Sequence, residues 1–228
     1  GDFNTAIGYQ ALTAQTGTAG TVANTAVGYK AGAGVLTGTR NTFIGTESGL
    51  VASGSAADDN VGLGAIALKA LTSGSNNTAL GTWASQQMVN ASNTVAVGYY
   101  TLANALTSTD IDGSVAIGAL SQAENKTGKG NVSVGLSALQ SDVNGDYSTA
   151  IGHEALKVQN GITGTVGNTA VGYQAGLAIT NAVSNTAIGA WALKTDDESD
   201  GSTAIGYGAL YTQNGGTGNS GNTGVGYA

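Results

Sequence analysis

The chain has 228 residues, a net charge of −7 and 9% charged residues, with 38 Gly, no Pro and no Cys. Low charge argues against charge-driven disorder, the lack of Cys excludes a disulfide framework, and no run of 18 apolar residues offers a membrane span. The seven cations (Lys30, Arg40, Lys69, Lys126, Lys129, Lys157 and Lys194) are scattered, whereas nucleic-acid backbones are held by clustered positive charge, so no nucleic-acid partner is expected. Taken in order, the chain states one short element thirteen times, first as Asn4-Thr5-Ala6-Ile7-Gly8. The repeat glycines are Gly8, Gly28, Gly45, Gly64, Gly81, Gly98, Gly118, Gly135, Gly152, Gly172, Gly189, Gly206 and Gly226. They are 17 to 20 residues apart, and from Gly64 onward the steps 17, 17 and 20 recur as a 54-residue unit. Self-similarity at such a period is the signature of a solenoid.

Positions are counted from the repeat glycine. Position −3 is Thr nine times and Val four times, and −1 is always Ile, Val or Leu. These two lie on one face of a strand, since side chains alternate. The sequence predicts that this Thr/Ile face is the interior. Position −2 between them is small, usually Ala (Ala6, Ala26, Ala79, Ala150), with Phe43 as the exception. It is expected to form a flat outer face where chains approach closely. Position −4 is Asn nine times, a residue that tolerates turn geometry. The element therefore reads as turn, short strand and Gly bend.

After each glycine a second unit follows, with Ala near +3 and Leu at +4 in seven of twelve copies, as in Leu12, Leu68, Leu139 and Leu210. It is predicted to be a second strand or extended segment. Variable Thr/Gly/Ser/Asp/Asn loops then lead to the next copy. The fold class expected is all-β, a parallel β-solenoid or β-roll of about 12–13 coils, one repeat domain over residues 1–228. The longer steps place larger loops at 101–112, 155–167 and 209–221.

The repeat resembles the head repeat of trimeric autotransporter adhesins. Gly113-Ser114-Val115-Ala116-Ile117-Gly118 matches that pattern, and Asn168-Thr169-Ala170-Val171-Gly172-Tyr173-Gln174-Ala175-Gly176 is similar to repeats of bacteriophage tail-fibre proteins. The resemblance implies a left-handed, homotrimeric β-roll that acts as an adhesive head or stalk. Family coils are nearer 14 or 15 residues, shorter than these. With no capping repeat at either end, the chain reads as a piece of a longer fibre.

Catalysis needs convergent titratable groups, and this chain has few, so neither enzymatic activity nor a cofactor is expected. His153, the lone histidine, sits at the +1 position occupied elsewhere by Tyr9, Tyr29, Tyr99, Tyr173 and Tyr207, and reads as a repeat substitution. Gly62-Leu63-Gly64 is part of the repeat rather than a dinucleotide loop. Acidic residues gather in loops as solvated polar positions; if any ion such as calcium is held, Asp196, Asp197 and Asp200 are the place. Trp83, Tyr100 and Trp191 belong to an intermittent aromatic row that could meet a sugar or shield the coil. The function expected is a structural fibre segment, extracellular on a virion or cell surface, that contributes to attachment to a cell-surface glycan or protein receptor. The alternative is an ice-binding β-solenoid with Thr rows, against which the interior placement of the Thr/Ile face would count.

Overall fold

A computed structural model of the chain describes residues 3–16, 22–51, 56–105, 111–160, 163–195, 198–213, 218–219 and 221–228. It divides into two compact units, Gly1–Gly113 and Ser114–Ala228. Both are all-β parallel solenoids, with no helix among the described residues.

In the first unit six strands of three residues stack in chain order: β1 Thr5–Ile7, β2 Thr25–Val27, β3 Thr42–Ile44, β4 Val61–Leu63, β5 Thr78–Leu80 and β6 Val95–Val97. Each pairs in parallel with the next, and equal repeat positions face each other: Thr25 opposes Thr42 and Val27 opposes Ile44. In the second unit the repeat strands are β7 Val115–Ile117, β8 Val132–Val134, β10 Thr149–Ile151, β12 Thr169–Val171, β13 Thr186–Ile188, β15 Thr203–Ile205 and β17 Thr223–Val225. Two small parallel pairs join a longer loop to the coil before it: β9 Gly145–Asp146 with β11 Gly164–Thr165, and β14 Ser199–Asp200 with β16 Gly218–Asn219. Of the three long loops, residues 106–110, 161–162, 214–217 and 220 lie outside the described residues.

Two sequence expectations are corrected. The first concerns the segment after the glycine, which is a run of turns rather than a second strand. Positions +2 and +4 sit in the left-handed region, as at Gln10 (φ 56°), Leu12 (φ 50°), Trp83 (φ 61°) and Leu156 (φ 48°). A Leu there is strained relative to Gly. It is held because its side chain fills the interior: Leu68, Leu102, Leu139, Leu156 and Leu193 are fully buried. The turns still pair between coils, through bonds such as Lys30 N–H to Tyr9 C=O (2.8 Å) and Leu12 N–H to Ala31 C=O (3.1 Å).

The second correction inverts the strand. Position −2 points inward and the Thr/Ile face points out. Ala26, Ala79, Ala96, Ala116, Ala150, Ala170 and Ala204 are fully buried. Their flanking −3 and −1 neighbours are half-buried or exposed in every repeat strand. The coil is too thin for two large residues across its width. The inward residue of the strand meets the +4 residue of the opposite wall, so Ala pairs with Leu. Phe43 follows the same rule with sizes exchanged. A Cβ on Gly49, the +4 residue of its coil, would overlap the Phe43 ring, and one on Gly62 of the next strand would lie 3.0 Å from it.

The repeat glycines serve close approach. Gly28 has φ +138°, and a Cβ there would lie 2.6 Å from the Gly45 carbonyl oxygen. Only glycine lets coils come this near at such a backbone angle.

Side-chain ladders complete the stack. Asn24 Oδ1 accepts the Asn41 N–H (2.8 Å), Asn41 Oδ1 accepts that of Asn60 (3.0 Å), and Asn60 Oδ1 accepts that of Asn77 (2.9 Å). Each Nδ2 then donates across its own coil: Asn24 to Gly38 C=O (2.7 Å), Asn41 to Ala57 (2.7 Å) and Asn60 to Gly74 (3.0 Å). Asn131 and Asn168 continue the scheme in the second unit, and Asn185 Oδ1 extends the ladder by accepting the Ser202 N–H (2.7 Å). These buried amides satisfy the corner backbone groups that the strands leave open.

Candidate functional site

The outward strand face presents two rows on each unit. The −1 row is apolar and unusually open for its residue type. Ile44, Leu63 and Leu80 in the first unit, and Ile117, Ile151, Ile188 and Ile205 in the second, are each 37–40% exposed. Beside it runs the −3 row of Thr and Val, also half-buried or exposed. Scattered exposed apolar residues are ordinary, but a continuous row on a flat sheet marks a contact surface.

The row is prolonged past the glycine by aromatic residues. Tyr9 stacks on Tyr29 with ring centroids 5.7 Å apart. In the second unit the rings continue from coil to coil: His153–Tyr173 (5.4 Å), Tyr173–Trp191 (6.0 Å), Trp191–Tyr207 (5.1 Å) and Tyr207–Tyr227 (5.2 Å). Trp83 packs against Tyr99 (5.4 Å) and Tyr100 (6.1 Å). Where +1 is small, as at Thr82 and Ala190, the bulky ring moves to +2, as at Trp83 and Trp191. Where +1 is Tyr or His, +2 is usually polar, as at Gln10, Lys30, Glu154 and Gln174. In these coils the ring is thus supplied by either of two positions, and the coil of Gly98 supplies both, Tyr99 and Tyr100. Tyr173 and Tyr207 have neighbours on both sides, so their ring faces are taken up within the row.

His153 belongs to this row. Its Nδ1 is 3.8 Å from Glu154 Oε2. Glu154 also receives Lys157 Nζ (2.6 Å) and Gln174 Nε2 (2.7 Å), and these two donors hold its carboxyl below the usual carboxylate range. Gln174 Oε1 in turn accepts the Trp191 Nε1–H at 3.1 Å. Lys194 Nζ lies 5.1 Å from the Trp191 ring centroid. The polar residues at +2 therefore anchor the rings.

The loop carboxylates have a structural assignment that sequence reading missed. At position −6, Asp58 Oδ1 accepts the Thr39 N–H (2.6 Å), Asp112 that of Ser92 (2.7 Å), Asp146 that of Lys129 (3.0 Å) and Asp200 that of Val183 (2.8 Å). Each acid caps the equivalent residue of the coil before it. Six-residue spacing to the glycine was the available signal. Asp200 is thereby committed to Val183, and Asp196 and Asp197 lie outside the described residues. Among the described residues, no three His, Cys, Asp or Glu side chains come together to hold a metal ion.

An open depression of about 720 Å³ lies across three coils of the first unit, lined by Leu50, Val51, Lys69, Ala70, Gln87 and Val89 among others. Lys69 is its one titratable lining residue, and its Nζ is bound to Glu47 at 2.8 Å. The lining offers an apolar floor with amide groups and no acid–base pair.

No family model, curated protein or solved structure matches this chain.

Proposed function

We propose that the chain is a structural fibre segment whose coils associate as a homotrimer, left-handed as in the repeats it resembles. It contributes to attachment to a host or cell surface, as in a phage tail fibre or a trimeric surface adhesin, and works outside the cell. The observation that carries this reading is the continuous outward row of Ile, Leu and Val at −1. Covering one such side chain is worth on the order of 1 kcal/mol, so a row repeated on every coil favours association strongly. A thin solenoid with an Ala-rich interior has little other apolar surface to bury. The receptor would be a cell-surface glycan or protein met by the surfaces left outside the assembly.

Light scattering on the purified chain tests the association. Three chains of 22.2 kDa give a particle of about 67 kDa. Ile151→Asp with Ile188→Asp is expected to yield monomers that keep their β-sheet circular dichroism. A wild-type monomer with well-formed β structure overturns the trimer. Binding of labelled protein to bacterial or host envelopes then tests attachment, and no binding to any envelope removes that part.

The outward Thr row favours a second reading. The objection that Thr faces the interior no longer stands, since Thr42 and Thr186 are half-buried and Thr78 is exposed. A flat row of Thr at the strand spacing of about 4.8 Å suits an ice lattice. Val61, Val95, Val115 and Val132 interrupt it. Thermal hysteresis in dilute solution would support ice binding, and its absence would end it.

A further inference from the structure

The interior of the second unit holds a carboxyl group at a position that carries apolar or amide side chains in the other described coils. Position +7 points to the coil centre; it is Val35, Leu71, Met88 and Ala105 in the first unit beside Gln15, and Ile179 in the second beside Asn125, Gln159 and Gln213. Asp142 occupies it in the coil of Gly135, and it is 1% exposed. Among the described residues at this position it is the only carboxylate. Its Oδ1 accepts the Gly145 N–H at 2.9 Å, and its Oδ2 accepts Gln159 Nε2 at 3.1 Å. Gln159, at +7 one coil later, also donates to Ser148 Oγ (3.1 Å) and accepts Asn168 Nδ2 (3.0 Å). Asn125, at +7 one coil earlier, donates to Gln122 Oε1 (3.1 Å) and Gly128 C=O (2.8 Å). A polar column thus runs through three coils with Asp142 in the middle.

The charged groups around the column do not neutralise it. On the same turn stands Asp146, itself nearly buried, whose like charge opposes ionisation. In the preceding coil Glu124, Lys126 and Lys129 are exposed to solvent. In the following coil Lys157 is bound to Glu154, and His153 is exposed beside that pair. A buried carboxylate with no cation loses its hydration and regains only part of it from amide donors.

We infer that Asp142 makes the stability of the second unit's coil stack depend on pH, greater when its buried carboxyl is protonated and smaller when it ionises with no cation to meet it. Burial pushes this carboxyl up to about 7, against the opposing pull of the Gly145, Gln159 and Asn144 hydrogen bonds. An unfolded Asp titrates near 3.9, roughly three units lower. The folded chain therefore binds the proton more tightly than the unfolded one. Stability from this group is fully present in acid and falls as pH rises through about 7. The inference rests on the interior of the second unit alone and is independent of the fibre reading.

Thermal unfolding followed by circular dichroism at pH 5.5 and 8.5 tests it. The wild-type midpoint is expected to be about 5–10 °C lower at pH 8.5. Asp142→Asn removes that difference, while His153→Gln, which deletes the one histidine, keeps it. Equal wild-type midpoints, a difference that survives in Asp142→Asn, or one that vanishes in His153→Gln each overturn the inference. Should Asp142→Asn fail to fold, carbon-13 NMR of the wild-type carboxyl decides. An inflection near neutral pH supports the inference, and a side chain already ionised at pH 5.5 overturns it.

Discussion

Two stretches of interior, one in each unit, are filled with different materials on the same backbone. Through much of the first unit the centre is apolar: Val35, Phe43, Leu68, Leu71, Met88 and Leu102 are buried. At the start of the second unit the same positions carry Gln122, Asn125, Asp142 and Gln159, equally buried, with Ser121 and Ser133 beside them. The strand register, the repeat glycines and the Asn corner are alike in both. The coil is therefore set by backbone pairing, glycine contact and corner ladders. Its contents can be oil or amide, provided volume is filled and polar groups find partners.

The largest test of this contrast is Phe43→Ala. The ring sits against Gly49 and Gly62, neither of which can supply replacement volume. A loss of about 3–5 kcal/mol is expected in denaturant unfolding. A cost under about 1 kcal/mol would mean that the ring does not support its coil.

Gln159→Leu probes the polar interior. It strips Asp142 Oδ2 of a donor and Ser148 Oγ and Asn168 Nδ2 of a partner, at about 1–3 kcal/mol. Replacing Asp142 and Gln159 together by Leu also removes the buried carboxyl, while Gly145 N–H, Ser148 Oγ and Asn168 Nδ2 still lose a partner, so a partial recovery relative to Gln159→Leu is expected. If the double variant is no better than the single one, the two interiors are not interchangeable.

The smallest effect belongs to the surface. Arg40 and Asp59 form a close pair, with Nε to Oδ1 at 2.6 Å, that holds the carboxyl below its ordinary value and raises the guanidinium. Both are solvent-exposed, so Arg40→Gln should leave the unfolding midpoint unchanged. A clear drop would show that surface pairs, and not only interior ladders, hold the stack.

Much of the fold was legible because a solenoid repeats its physics. The 17- to 20-residue period and the strand bounded by Asn and Gly all appear in the sequence, and parallel in-register pairing follows from them. The aromatic row was legible too, through Trp83, Tyr100 and Trp191, but its alternation between +1 and +2 acquires meaning only when neighbouring coils are adjacent. The Asp ladder at −6 was read as solvated polar residues, because its partners lie 17 to 20 residues earlier in the chain.

What the sequence determined by itself was the repeat and the strand. What only the tertiary structure decided was which side of the strand is inside. A three-residue strand has two faces, and hydrophobicity assigns Ile and Val to the interior. The opposite wall overrules that preference. Its left-handed Leu residues already fill the narrow coil, which leaves room for Ala at −2 and sends Thr and Ile outward. The surface on which the proposed function depends is a consequence of that lack of space.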